Sequence, residues 1–232
     1  MAKKLKQEYP SCYIQTHLSE NQDEIKWVKE LFPEAKSYLD VYDSFDLVSK
    51  RSIFGHAIYL TQKEYSTLHI RGASVSLCPT SNLFLGSGLF QFRKFKQDGQ
   101  KVHIGFGSDI GAGTSVSMIK TLCEAYKVVS LEQGSALKRE PLQAFEAFYQ
   151  ITLGAALSLD LDNKIGKLEE GYEADFVVLD LKPDPVQDLR ISKIKGESIE
   201  ALEEKLFAFM ILGDDRNIKA TYINGEVVYE KN

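Results

Sequence analysis

The first 130 residues alternate between two hydrophobic periods. Tyr13-Ile14-Gln15-Thr16-His17 reads with period two, Tyr13, Gln15 and His17 on one side and Ile14 and Thr16 on the other. The run then breaks into a helix start, for which Ser19 with Gln22, or Asn21 with Glu24, offers a capping box. That helix is expected to run to about Leu31, with Ile25, Val28 and Leu31 on one face and Pro33 beyond its end. Tyr38 to Lys50 reads as loop and short helix. Ser52 to Ala57 reads as a second strand, after which Thr61 and Glu64 cap a helix closed by Gly72. Ala73 to Cys78 is the third strand and runs into a loop over Pro79 to Gly88. Val102 to Gly107 is the fourth, delivering Asp109 into the glycine-rich turn that ends at Thr114. From Ser115 a helix follows with Met118, Ile119, Leu122, Tyr126 and Val129 at core spacing.

Strands alternating with helices imply right-handed βαβ units and a parallel sheet. Beyond them the pattern changes. Pro141 to Leu157 reads as one helix, with Leu142, Phe145, Phe148, Tyr149 and Thr152 inward. Ile165 to Asp180, with turn glycines and a β-branched run, reads as a pair of short strands, and Pro183 to Lys195 as an exposed loop. Ile199 to Phe209 reads as a helix, and Ala220 to Tyr229 as a hairpin about Asn224-Gly225. Met1 to Glu8 has the look of a helix end. The division expected is a β/α unit over residues 1–160 and a mostly β unit over 161–232, with a returning helix at about 196–210.

Composition changes this picture little. The chain has 232 residues, a net charge of -5 and 26% charged residues, so nothing favours a nucleic-acid surface. It has neither an apolar run long enough to span a bilayer nor the apolar core of a signal peptide, and a cytoplasmic location is expected. Cys12, Cys78 and Cys123 are odd in number and widely spaced, which suggests buried free thiols rather than disulfides or a Cys-x-x-Cys site.

The candidate chemistry sits at strand ends. In parallel β/α folds reacting groups gather at the carboxyl ends of the strands, and His17, His56 and Asp109 each stand there. Glu20 follows His17 by three residues and is placed by pattern in the first turn of the next helix, within reach of a metal or water held by His17. The competing reading of Glu20 is an acidic residue that merely favours a helix N-terminus. His69, inside a helix, and His103, in a strand, read as structural. Asn82 and Ser81 either shape a pocket or hold their own loop's turns.

Gln15-Thr16-His17-Leu18-Ser19-Glu20-Asn21, Gly55-His56, Cys78-Pro79-Thr80-Ser81-Asn82-Leu83, Gly107 to Ser115 and Leu212-Gly213-Asp214-Asp215-Arg216-Asn217 together resemble the guanine deaminases of the amidohydrolase superfamily. The resemblance covers essentially the whole chain. It implies the C-terminal half of an eight-stranded β/α barrel of the TIM type, four parallel βα units being the fifth to the eighth, plus strands of a small β-sandwich. It implies hydrolytic deamination of guanine to xanthine and ammonia with one zinc ion per site. His17 and Asp109 would be metal ligands, with His56 a further candidate, and these two with Glu20 and Asn82 would meet the substrate. Glu20 would shuttle a proton to the ring, His56 would orient the attacking water, and Asp109 would help deprotonate it. The Asp214-Asp215-Arg216 run is expected to fix a loop or a subunit contact.

One departure stands out. The family's His-x-His pair occurs nowhere in the chain, and roughly half of a barrel is expected to be missing. The alternatives are another deaminase of the superfamily, or an inactive truncated domain that needs a partner chain bearing the His-x-His half; a homodimer is also left open. A cytidine-deaminase-type site is excluded, since neither His-x-Glu nor Pro-Cys-x-x-Cys occurs.

Overall fold

In the computed structural model, which describes residues 1–96, 99, 101–132 and 140–231, the chain forms two sheets flanked by helices. The first is parallel, ordered β1 (Ile14–Leu18), β2 (Ser52–His56), β3 (Ser74–Leu77) and β4 (His103–Phe106). Its register sets Leu18 beside His56, Gly55 beside Ser76, and Leu77 beside Phe106, so all four strands finish along one rim. The connections carry α2 (Gln22–Leu31) and α3 (Tyr38–Ser44), then α4 (Gln62–Arg71), then α5 (Pro79–Leu85) and α6 (Phe92–Phe95), while α1 (Ala2–Glu8) precedes β1. After β4 come α7 (Met118–Leu131), α8 (Ala144–Gln150) and α9 (Leu153–Ser158). The parallel βα units are those the alternation predicts, and together they have the architecture of a partial β/α barrel, as the resemblance implies.

The core explains the strand faces. Leu18, Phe54, Val75, Leu77, Ile104 and Phe106 from the strands join Tyr65 and Leu68 of α4 and Leu122, Ala125 and Val129 of α7 in one buried cluster. Each such leucine or phenylalanine contributes about 1.5–3 kcal/mol through burial. The opposite parity of β1 does the reverse: Gln15 and His17 are exposed on the sheet's other face.

Local chemistry sets the helix boundaries. Thr61 and Glu64 form the expected reciprocal capping box, and Gly72 closes α4 in the left-handed region. Asn21 caps α2, accepting from the Glu24 N–H at 2.8 Å, while Glu24 reaches back to the Glu20 N–H rather than to its cap residue. Glu20 therefore precedes the cap and does not lie in the first helical turn as expected. The cause is Ser19, whose φ of 49° turns the chain before the helix can begin. Leu31, expected inward, is exposed, and α2 has no fully buried residue.

Four further expectations are corrected. Pro79 to Gly88 is not all loop: Pro79 opens α5 and Gly86 ends it. Pro141 to Leu157 is two helices, broken at Thr152, and Ala144, Ala147 and Gln150 face inward while Phe145, Tyr149 and Thr152 are exposed. Ile165 to Asp180 supplies one strand, β5 (Phe176–Leu179), the rest of the run being turns. Pro183 to Lys195 contains α10 (Pro185–Ser192), because Asp184 caps it by accepting from the Val186 and Gln187 N–H groups.

The second sheet is antiparallel, β5 then β6 (Ile218–Ile223) then β7 (Glu226–Glu230), with Asn224 and Gly225 both at positive φ in the expected hairpin turn. Between its strands α11 (Ile199–Leu212) returns to α7 and α8, stacking Phe209 on Phe148 at 5.8 Å and setting Phe207 edge-on to Tyr126 at 5.3 Å. The Asp214 to Asn217 turn fixes this return, as expected of a loop-holding motif. Asp214 caps it, Arg216 pairs with Asp214 and Asp184, and buried Asn217 binds the Asp180 carbonyl and Gln187.

Candidate active site

Three of the four strands of the parallel sheet are followed by a non-glycine residue in the left-handed region. Ser19 follows β1, His56 ends β2 with Ala57 after it, and Asp109 follows β4, at φ 49°, 68°, 50° and 47° respectively. Each such residue costs about 1–3 kcal/mol and persists only where its surroundings enforce it. Here the backbone does so: Ala57 N–H donates to the Leu18 carbonyl at 2.9 Å, and Ile58 and Tyr59 N–H both donate to Ser19 at 3.2 Å. The strand ends are thus stitched sideways, turning His56 and Glu20 onto the rim.

There the side chains converge. His17 and His56 stack nearly parallel, with ring centroids 5.2 Å apart. His56, only 2% exposed, meets Asn82 Oδ1 through Nδ1 at 2.9 Å and faces Glu20 Oε2 through Nε2 at 3.7 Å. Glu20 takes its other oxygen to Ser87, whose hydroxyl donates to Oε1 at 2.8 Å. Ser87 is anchored in turn by Tyr59, whose hydroxyl donates to its carbonyl at 2.7 Å. Behind Glu20, Tyr38 donates to Glu24 at 2.9 Å, and burial, helped by its contact with Tyr42, pushes its phenol well above the ordinary range.

Cys78 feels the charges of two carboxylates. Burial pushes its thiol up to about 11, a contact with Ser76 opposes the rise, and the charges of Asp109 and Glu20 add to it. At neutral pH it stays a thiol and is no nucleophile. Gly107 passes close beside it; a Cβ there would stand 2.6 Å from Ser76 Oγ and 3.3 Å from Cys78 Sγ. Cys12 is exposed, contrary to the expectation that all three cysteines are buried.

Asp109 stands on the same rim, beyond the end of β4, and its charge reaches Cys78 as that of Glu20 does. Among the described residues no three of His, Cys, Asp and Glu are grouped closely enough to hold a metal ion. His17, His56 and Asp109 have the donor chemistry of a zinc site, but as they stand they fall short of the three protein ligands such a site needs.

Comparison with known proteins bears on this arrangement. The profile of the amidohydrolase family matches residues 1–228. The chain belongs to the amidohydrolase family. Over all 232 residues this amidohydrolase chain is 49% identical to the guanine deaminase of Escherichia coli strain K12, covering 50% of that protein. The solved E. coli guanine deaminase superposes with a TM-score of 0.92 at 48% identity, over 100% of this chain and 51% of that one. A guanine deaminase from C. acetobutylicum, solved with guanine in its active site, superposes at 0.84 with 33% identity, over 98% and 51%. An adenosine deaminase from Xanthomonas campestris with bound zinc, 24% identical, shares the fold at 0.78 over 97% and 47%. The chain spans about half the length of the curated relatives it matches.

Of the sequence candidates, the structure brings together His17, Glu20, His56 and Asn82, and sets Asp109 after β4 on the same rim. Asn82 contacts His56 rather than only holding its own turn. His69, bound to the Lys101 carbonyl, and His103, exposed at the start of β4, lie away from the rim, as expected. Sequence reasoning missed Ser87 and Tyr59. Neither follows a hydrophobic period; the one available signal was a serine between Gly86 and Gly88, two residues that mark a tight, specified turn.

Proposed function

We propose that this chain supplies one part of a guanine deaminase active site, which hydrolyses guanine to xanthine and ammonia. The observation that carries the proposal is the Glu20–His56 pair on the strand rim, in a chain 49% identical over its full length to a guanine deaminase. A carboxylate that keeps one oxygen on Ser87 and the other toward an imidazole is held for proton transfer and is not consumed as a structural salt bridge.

The roles follow from position. Glu20 carries a proton to the purine ring nitrogen, its Oε1 fixed by Ser87. His56, buried and unable to turn, orients the water that attacks the carbon bearing the amino group. Asp109, across the rim, accepts that water's proton and passes it toward the departing ammonia. The hydroxyl left on that carbon returns a proton to Glu20 as ammonia departs, so the atoms balance as guanine plus water giving xanthine plus ammonia.

Zinc is the metal proposed, with His17 and Asp109 as two of its ligands. When bound it lowers the pKa of water from about 15.7 toward 7. Because fewer than three donors converge among the described residues, the remaining ligands are proposed to come from a polypeptide carrying the rest of the barrel. The setting this activity implies is purine breakdown in the cytoplasm.

The test is base selectivity. Guanine, adenine and cytosine are offered to the chain together with a polypeptide completing the barrel, in the presence of zinc, and ammonia is measured. Release from guanine alone is expected; release from another base in preference to guanine overturns the assignment.

A further inference from the structure

A buried imidazole has two nitrogens, and the partner of one decides which carries the proton in the neutral ring. His56 is 2% exposed and Asn82 1%, so water does not substitute for either group. Asn82 Oδ1 sits 2.9 Å from His56 Nδ1, and an amide oxygen can only accept. Nδ1 therefore holds the proton, and Nε2 is left bare toward Glu20 Oε2 at 3.7 Å. The opposite amide orientation would place an N–H on Nδ1 and force the proton to Nε2, where the ring would donate toward Glu20. The two arrangements differ chemically: the first leaves Nε2 free to accept from water or substrate, and the second ties up the carboxylate.

Asn82 is well placed to make this choice. It sits in α5, which Pro79 opens, Gly86 closes and Thr80 ties to the turn after β4 by donating to the Ser108 carbonyl at 3.0 Å. The same segment ends at Ser87, the partner of Glu20. One rigid element thus holds both members of the pair. Asn82 Nδ2 is buried with no partner among the described residues, so no other bond competes with His56 for the amide.

We propose that Asn82 is a positioning residue that selects the Nδ1–H tautomer of His56 and presents the bare Nε2 to the Glu20 side of the rim. Its catalytic consequence rests on the deaminase reading above; the tautomer itself does not.

The experiment is nitrogen-15 NMR of the purified 232-residue chain, well above the ordinary imidazole pKa of about 6.5. The His56 ring signals are assigned by their loss in His56→Gln. The parent is expected to show protonated Nδ1. Asn82→Asp, which can only accept, is expected to keep it, and Asn82→Ala to shift toward the Nε2–H form that an unconstrained imidazole prefers. Protonated Nε2 in the parent overturns the proposal, as does an unchanged tautomer in Asn82→Ala. Should Asn82→Ala not fold, the parent and Asn82→Asp spectra decide alone, because the opposite amide orientation predicts a switch between them. In the barrel-completed enzyme Asn82→Ala is expected to lower kcat about 10-fold or more with KM little changed. Absence of guanine turnover in the parent counts against the deaminase reading, whereas the spectra alone decide the role of Asn82.

Discussion

Asn217→Ala is expected to be among the most destabilising polar substitutions in the chain. Asn217 is fully buried. Its Nδ2 donates to the Asp180 carbonyl at 2.7 Å and to Gln187 Oε1 at 2.8 Å, and its Oδ1 accepts the Asp214 N–H at 3.0 Å. Gln187 is itself 3% exposed, so truncation strands its Oε1 away from water, while Asp180 is exposed and Asp214 near enough the surface for their groups to be rehydrated. At about 1–3 kcal/mol for a buried group left unpaired, the loss is about 1–3 kcal/mol. For a chain of this size that corresponds to a fall in Tm of roughly 5 °C. Asn217→Asp keeps the volume and the bond to Asp214 but turns the two donors into acceptors facing acceptors. It is expected to be at least as damaging as alanine, since Gln187 can flip to rescue it only by giving up its own bond to Asp184 at 3.0 Å. Thermal unfolding by far-ultraviolet circular dichroism measures both variants. A loss under about 1 kcal/mol for alanine, or parental stability for aspartate, would refute the network as the element that ties α10, β5 and β6 together.

Three other outcomes follow from the same geometry. Glu146 is half-buried; burial pushes its carboxyl up, but hydrogen bonds from Arg93 and Lys96, each at 2.7 Å, outweigh that and leave it below the usual range. A lowered folded pKa contributes stability above the unfolded value of about 4.3 that disappears as pH falls through the folded one. Glu146→Gln should therefore cost about 1–2 kcal/mol in urea unfolding at pH 7 and progressively less as the pH falls below about 4.3; a difference that does not shrink on acidification would contradict this. Gly88→Ala places a methyl against the Tyr59 hydroxyl, 3.0 Å from its Cζ, at a φ of 137°. It should cost about 2–3 kcal/mol, so an unaltered Tm would count against that fit. Glu20→Gln in the barrel-completed enzyme should lower kcat about 10²- to 10⁴-fold with zinc content unchanged, and loss of zinc would show that Glu20 is a ligand.

Much of the fold is legible in the sequence because it is local. Thr61, Glu64 and Gly72 bound α4 by capping chemistry, and Asn224-Gly225 marks its hairpin, since each signal acts within a few residues. The helices α5 and α10 read as loops although Pro79 and Asp184-Pro185 announce them, because short helices offer too few turns for a hydrophobic period to show. Phe145 and Tyr149 mislead for another reason. Aromatic residues at helical spacing suggest an inward face, but α8 packs through small Ala144 and Ala147, which allow its backbone a close approach.

The site divides along the same line. His17, His56 and Asp109 are legible as residues at strand ends, a property of order along the chain. The placement of Glu20 before its helix, and its bond to Ser87, depend on Ser19 turning left-handed and on contacts 67 residues apart in sequence. Which strands carry His17 and Asp109 into one sheet, and in what order, depends on topology, which no local pattern encodes.

The most direct test of the central claim is ammonia release from guanine, with zinc, by the chain alone and by the chain with a polypeptide that completes the barrel. Turnover is expected only from the combination, because fewer than three metal donors converge among the described residues. Steady turnover by the chain alone would contradict an incomplete donor set, and a folded, zinc-loaded combination that releases no ammonia would contradict the assignment of Glu20, His56 and Asp109 to guanine deamination.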